Sequence, residues 1–556
     1  MKDSQGIFDP VLLRCLRGYE VKHLPGDLGA GVAVGVVALP LAIGFAIASG
    51  VSPAQGLWSA IVGGLLISVF GGSRFQIGGP TGAFVPVLAS IVFRHGYDGL
   101  AVATVLAGVM LVLMGVLRLG VLLKYIPYPV IAGFTTGIAL IIFLGQVPAF
   151  LGLSFKLPEH APALTAALFR HAAETQWPSV LVGAGSLGLM FLCPKLWPKI
   201  PASLVVVVAA TAAVTLLGLP VATVGSKFGG IPGGWPGLHW PPLTMTTVRE
   251  LMGPAFTIAA LGGIESLLSA TVADGLTDTR HNSNQELIGQ GLANMLVPLV
   301  GGFAVTGAIA RTAANIRSGA RSPVAGVVHS AVLLFFVLVA APLAKLIPLP
   351  ALAAILMAVA LRMAEWDTFG EVWRASRSDF GVLVAAFGLT VVFDLTVGVA
   401  AGLVMAAALF LHRMESLSQV RELTAESDPE RSGRNSLNGK EVPDGVVLFR
   451  FDGPLFFAAA EKLEAALRGS GGRPSVVILR MRHVPMMDVT GLRALEVVWE
   501  KLHRDGIAVL VTAVQPQPRA MMDRSGLSAR IGPDRFCDDI DQALAKSEVV
   551  LAARGE

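Results

Sequence analysis

From Leu28 to His412 the chain is a succession of apolar runs interrupted by Gly, Pro and single charges, and nothing else in the sequence restricts the fold as strongly. A helix needs about 20 mostly apolar residues to cross a bilayer, so this stretch has room for roughly fourteen crossings joined by short loops. Only 14% of residues are charged and 54% are hydrophobic, whereas soluble globular chains carry about 25% charged residues. An ordinary soluble enzyme is thereby excluded. From Arg413 onward charges are frequent and apolar runs are short, as in a single soluble domain. The expected division is a cytoplasmic N-terminus at 1–27, a membrane domain at 28–412, a linker at 413–445 and a C-terminal domain at 446–556.

The formal net charge is +4, and the cations flank apolar runs instead of forming one patch, which argues against nucleic acid as a partner. Cys15, Cys193 and Cys537 are too dispersed for a metal site or a disulfide framework. No metal or cofactor is expected. The first residues include Asp3, Asp9, Arg14, Arg17, Glu20 and Lys22 without an apolar core, so no cleavable signal peptide is expected. Arg14, Arg17, Lys22, Arg74, Arg118, Lys124, Lys195 and Lys199 then fall on one side of the bilayer. Fewer, such as Arg94, Lys156, Arg170 and Arg249, fall on the other. By the positive-inside rule both termini face the cytoplasm, at the inner cell membrane.

Apolar runs between punctuation give expected spans near 28–50, 54–70, 82–93, 99–117, 128–146, 178–193 and 203–218. A second set follows near 253–272, 284–300, 308–318, 324–346, 351–363, 379–393 and 396–412. Two of these are too short to cross as plain helices, and both open on Thr-Gly-Ala: Thr81-Gly82-Ala83 and Thr306-Gly307-Ala308. Ile126-Pro127-Tyr128-Pro129 follows the first and Ile347-Pro348-Leu349-Pro350 the second. Matched landmarks in matched order indicate an internal repeat. With seven spans in each copy, the second copy enters from the opposite side, giving a 7+7 inverted repeat of the kind found in secondary transporters.

A helix that starts within the bilayer leaves its first N–H groups unsatisfied, so the start must line a hydrated or ligand-filled cavity. Gly82 and Gly307 would allow close approach to the backbone, and Thr81 and Thr306 are expected N-caps. Two opposed N-termini, each contributing about half a positive charge, suit an anion. Arg311 lies within two turns of Thr306, and the matching position of the first copy is Pro86. A guanidinium there either serves the anion or snorkels to the surface beside Arg317 and Arg321. Glu265 precedes Thr306 by 41 residues, as Pro40 precedes Thr81 by 41. A carboxylate isolated there would take up a proton, and a nearby Arg311 would hold it ionised, so the pair suits proton coupling or forms a static ion pair. Ser269 shares the helix face of Glu265. Gln285, Glu286, Gln290 and Asn294 recur at helical spacing and read as helix–helix hydrogen bonding.

The runs from Gly263 to Ser269, from Val272 to Gly275 and from Gly307 to Ala320 resemble the SulP anion transporters, bacterial relatives of the animal SLC26 carriers. The resemblance covers nearly the whole chain and implies fourteen spans split into a core domain (spans 1–4 and 8–11) and a gate domain (spans 5–7 and 12–14). It places the anion between spans 3 and 10, touched also by spans 1 and 8. Carried onto this sequence, the contacts are Leu41, Phe45, Thr81, Gly82, Ala83, Glu265, Ser269, Ala308, Ile309, Ala310 and Arg311, and Glu265 keeps the proton-coupling role expected from its charge. Leu41 stands where many members carry Gln, which removes a side-chain donor. Among subgroups the runs look most like carriers that move C4-dicarboxylates such as fumarate and succinate with protons, although bicarbonate and sulfate carriers share much of them.

At the C-terminus Val446–Phe451, Val476–Leu479 and Ile507–Thr512 read as strands, and Glu461–Leu467 and Leu492–His503 as helices. This small α/β domain resembles a STAS domain. Val489 occupies the position where related soluble proteins carry a phosphorylated Ser, with Thr490 beside it. The expected molecule is a proton-coupled elevator-type carrier of small anions, forming a homodimer supported by a STAS domain that binds a cytoplasmic partner. An uncoupled anion channel is the alternative.

Overall fold

The computed structural model describes residues 8–120, 126–155, 157–158, 160–197, 200–393, 395–417, 419–424, 436–437, 440–456 and 474–554. Lys124, Lys156, Lys199, the expected helix Glu461–Leu467 and most of the expected linker lie outside these residues. The chain forms two compact units, Met1–Ala406 and Ala407–Glu556.

The first unit is helical: α1 (Val11–Arg17), α2 (Leu24–Ala48), α3 (Pro53–Phe70), α4 (Val85–Val116), α5 (Tyr128–Leu151), α6 (Ala161–Arg170), α7 (Trp177–Leu196), α8 (Ala202–Leu217), α9 (Met245–Thr277), α10 (Ser283–Leu296), α11 (Ile309–Arg317), α12 (Val324–Ala344), α13 (Leu349–Met363), α14 (Trp366–Ala375), α15 (Arg377–Val392) and α16 (Leu395–Leu417), the last running on into the second unit. Among the described residues, nine helices are long and apolar enough to cross a membrane. The expected segments 82–93 and 99–117 meet without a loop, at a kink where Gly96 has φ 67° and ψ −171°. Only Gly takes such a backbone without strain. The expected segment 308–318 is the nine-residue α11, which reaches only about 14 Å, half a hydrocarbon core.

The helices pack in two groups. α9 and α10 lie along α4, α3 lies against α10, and α12 lies along α2. Elsewhere α13 and α15 pack on α5, and α7 packs on α13 and α8. The N-terminal residues are docked onto the first group. Asp27, fully buried at the start of α2, accepts hydrogen bonds from the Arg321 and Ser322 N–H groups, the Ser322 hydroxyl and the Tyr19 hydroxyl. Burial, and then the bond to the Asp27 carboxylate, push the Tyr19 hydroxyl up to about 12, so it stays a donor at physiological pH.

Between the paired helices lie two short strands, β1 (Gly78–Gly79) and β2 (Thr306–Gly307), antiparallel with Gly78 opposite Gly307 and Gly79 opposite Thr306. The start of the second Thr-Gly-Ala landmark therefore pairs, antiparallel, with the two glycines just ahead of the first.

The second unit holds a five-stranded sheet of β3 (Gln419–Glu422), β4 (Val446–Asp452), β5 (Val476–His483), β6 (Ala508–Thr512) and β7 (Phe536–Cys537), in that order. β3 is antiparallel to β4 and the remaining pairs are parallel. The sheet is covered by α17 (Val489–Arg504), α18 (Pro516–Arg524), α19 (Leu527–Ile531) and α20 (Ile540–Ala552). The Asp488 carboxylate caps α17 by accepting from the Gly491 N–H at 2.7 Å, and Val489 and Thr490 are exposed on its first turn.

Candidate anion-binding site

The crossing is braced by bonds that join residues 75–77, ahead of β1, to residues 308–315, beyond β2. The Ile77 carbonyl accepts from the Ala308 N–H at 2.9 Å, the Thr312 hydroxyl accepts from the Ile77 N–H at 3.1 Å, and the Phe75 carbonyl accepts from the Asn315 amide at 2.9 Å. Beyond β1 a turn at Gly82–Phe84 leads into α4, and beyond β2 the chain passes Ala308 into α11. Neither helix start is capped by a side chain. The expected capping roles are thus corrected. Thr81 does hold the position before the turn, but its hydroxyl donates to Glu265 Oε2 at 2.8 Å. Thr306 lies two residues ahead of Ala308, the residue that precedes α11, and its hydroxyl donates to the Gly262 carbonyl at 2.8 Å. Both threonines tie the crossing to α9 and leave the first-turn N–H groups to other ligands.

Arg311 is buried at the same place and donates from Nη2 to the Pro80 carbonyl at 2.5 Å. It does not snorkel. Glu265 meets the next residue, Thr81, so Glu265 and Arg311 are joined through the Pro80–Thr81 peptide, and among the described residues no direct ion pair links them. The expected Glu–Arg pair is therefore an indirect one.

Gly82 faces α2, α5 and α13. A Cβ there would lie 3.2 Å from Ile142 of α5, 3.3 Å from Met363 of α13 and 3.3 Å from Phe45 of α2. Phe45, Thr81, Gly82 and Ala83 consequently gather at one helix start, with Ala308 and Arg311 at the other. Ile309 and Ala310 are exposed on the first turn of α11. Leu41, one turn before Phe45 on α2, packs against the cluster that holds Met190, Val206, Ala351 and Ile355. Ser269 is buried and donates to Thr312 Oγ1 at 3.0 Å, which makes it a strut beneath the crossing.

Gly307 also differs from its expected role. The space a side chain would take is filled by the Gln76 amide, so this Gly accommodates protein and not ligand. Sequence reasoning missed Gly79, whose φ of 145° disfavours other residues and whose missing side chain leaves room for the Arg311 guanidinium: a Cβ would sit 2.6 Å from Nη1. The Gly78-Gly79-Pro80 run was the available signal. Among the described residues no group of acidic, His and Cys side chains could hold a metal ion.

Two family models match the chain: the sulfate permease family over residues 24–386 and the STAS domain over 439–543. A putative sulfate transporter of Bacillus subtilis, YvdB, is 40% identical over 95% of this chain and 98% of its own length. The bicarbonate transporter BicA of a Synechocystis strain is 33% identical over 96% of this chain and 95% of its own. Among solved structures, SLC26A9 superposes with a TM-score of 0.85 at 18% identity, over 98% of this chain and 93% of that one, which speaks for the fold. Two helix starts led in by paired strands, a buried arginine beside them and a C-terminal α/β unit thus occur in a chain that matches these proteins almost end to end. It belongs to the sulfate permease (SulP) family of membrane transporters and carries a C-terminal STAS domain.

Proposed function

We propose that the protein is a secondary active transporter of small anions, coupled to protons and working by an elevator-like movement of the core helices against the gate helices. The observation that carries this reading is the crossing itself: two helix starts without side-chain caps, each with about half a positive charge, beside the buried guanidinium of Arg311. Such a site compensates an anion that has shed its water, and has little to offer a neutral solute. The relatives named for sulfate and for bicarbonate favour small oxyanions. C4-dicarboxylates such as fumarate and succinate present the same carboxylate chemistry and belong to the same test. Leu41, Phe45, Thr81, Gly82, Ala83, Ser269, Ala308, Ile309, Ala310 and Arg311 are assigned to the anion site or its walls, and Glu265 to the proton. Fourteen crossings in a 7+7 inverted repeat, both termini in the cytoplasm, an inner-membrane location, and a STAS domain that supports a homodimer and meets a cytoplasmic partner complete the proposal.

The test is uptake of labelled bicarbonate, sulfate, chloride, fumarate and succinate into proteoliposomes, with and without an inward proton gradient. Saturable accumulation above the outside concentration of at least one anion is expected. Uptake that only equilibrates would identify a channel, and no Arg311-dependent uptake of any of the five would overturn the assignment.

A further inference from the structure

α10 presents Glu286, Gln290 and Asn294 four residues apart, on one stripe, and all three side chains are buried. Glu286 Oε2 accepts from the Gly72 N–H at 2.8 Å and the Ser73 N–H at 3.1 Å. Its Oε1 accepts from the Gln76 amide at 2.9 Å, the Gln290 amide at 3.0 Å and the Ser266 hydroxyl at 3.1 Å. A buried carboxylate is costly unless its lone pairs are met, and here five donors meet them. Four of the five come from outside α10, and three of those belong to residues 72–76, the segment that leads into β1.

Two turns further along, Asn294 does the same for β2. Its Oδ1 accepts from the Val305 N–H at 2.8 Å, while its amide donates to the Val305 carbonyl at 2.8 Å and the Gln290 carbonyl at 2.9 Å. Val305 immediately precedes β2, and both of its peptide groups are held by this one side chain. Gln76 closes the frame by filling the space beside Gly307. Close approach is built in as well, because a Cβ on Gly289 would lie 2.8 Å from the Gly71 backbone. One helix face therefore grips the lead-in to each strand of the crossing.

We infer that Glu286, Gln290 and Asn294 are positioning residues of the anion site: they fix the two lead-in segments, and so the convergence of the two helix starts, without touching the anion. The inference rests on the transport reading above. Supporting groups of this kind hold a binding constellation to within about 0.5 Å, and their loss should appear as weaker anion binding. A purely structural role would instead reduce the amount of active protein at unchanged affinity.

The experiment uses the full chain in proteoliposomes, with whichever tracer among bicarbonate, sulfate and fumarate the wild type takes up in an Arg311-dependent manner. Glu286→Gln keeps the shape but turns an NH2 group toward N–H donors, and Asn294→Asp keeps the acceptor while losing both donors. Each should raise KM about tenfold, the scale on which outer partners of a bound group act, with Vmax per reconstituted protein within about twofold. Should Glu286→Gln fail to fold, Asn294→Asp decides, since it leaves the carboxylate in place. An unchanged KM, with Vmax lowered or not, overturns this inference alone. Absence of uptake by the wild type removes the transport reading and this inference with it.

Discussion

First-turn N–H groups that no side chain caps attract an anion only as strongly as two partial charges allow, roughly one unit in total, and Arg311 adds a full unit beside them. Removing the guanidinium takes away about half of the positive potential. Arg311→Ala should therefore raise KM for the transported anion at least about tenfold, which corresponds to roughly 1.4 kcal/mol. Arg311→Lys should recover part of the loss, because an ammonium keeps the charge without the planar fork. Concentration-dependent uptake measures both, and an unchanged KM in the alanine variant would remove Arg311 from the site. Gly82 makes the complementary case for space. The methyl groups of Gly82→Val would enter the gap between Phe45, Ile142 and Met363, so uptake should be abolished in protein that still elutes as a single species in detergent. Retained uptake would show that the anion does not approach Gly82.

The strand pair brings α4 and α11 start to start, and its geometry depends on a residue outside either helix. Gly79 combines a φ of 145° with a space occupied by the Arg311 guanidinium, so Gly79→Ala both strains the backbone, by about 1–3 kcal/mol, and displaces the cation. Its uptake should show the raised KM of Arg311→Ala together with a lowered melting temperature. A lowered melting temperature with normal KM would mean that the guanidinium tolerates the displacement. The Thr-Gly-Ala repeats, the short eleventh helix and the closeness of Glu265 to Arg311 were legible in the sequence because each leaves a local mark: small residues at a helix start, or a charge within an apolar run. The destinations of the Thr81 and Thr306 hydroxyls were not legible, since capping is a local rule and their partners lie on α9. Glu286 was hidden for a similar reason. Its donors at 72–76 are more than two hundred residues away in the chain, and the stripe on α10 looks the same whether it meets another helix or a lead-in segment. The α/β character of the C-terminal unit was legible in alternating strands and helices, and its STAS identity only through resemblance.

For a carrier to work against a gradient, the states that cross must be near neutral and the singly loaded ones must not, since an uncompensated charge in the bilayer core costs several kcal/mol. The Glu265 carboxylate and the Arg311 guanidinium, joined through Pro80 and Thr81, cancel in the empty protein. A proton on Glu265 leaves the guanidinium uncompensated until a monovalent anion arrives, and the doubly loaded protein is again neutral. The Thr81 hydroxyl sits between these states: it donates to an ionised Glu265, whereas a protonated Glu265 donates to it instead and leaves the Thr81 hydrogen for another acceptor. Glu265→Gln fixes the protonated charge state. Loaded with a monovalent anion such as bicarbonate or chloride, its site is neutral and should move, whereas its empty form carries an uncancelled guanidinium and should return slowly. Exchange of internal for external anion should therefore persist, while net accumulation driven by an inward proton gradient should be lost. Proteoliposomes preloaded with unlabelled anion measure the first, and empty proteoliposomes with and without the gradient measure the second, for wild type and variant side by side. If Glu265→Gln still concentrates the anion in response to the gradient, the carboxylate serves only to hold Thr81 and the proton binds elsewhere. If exchange is lost as well, the carboxylate is needed for movement itself and not for coupling.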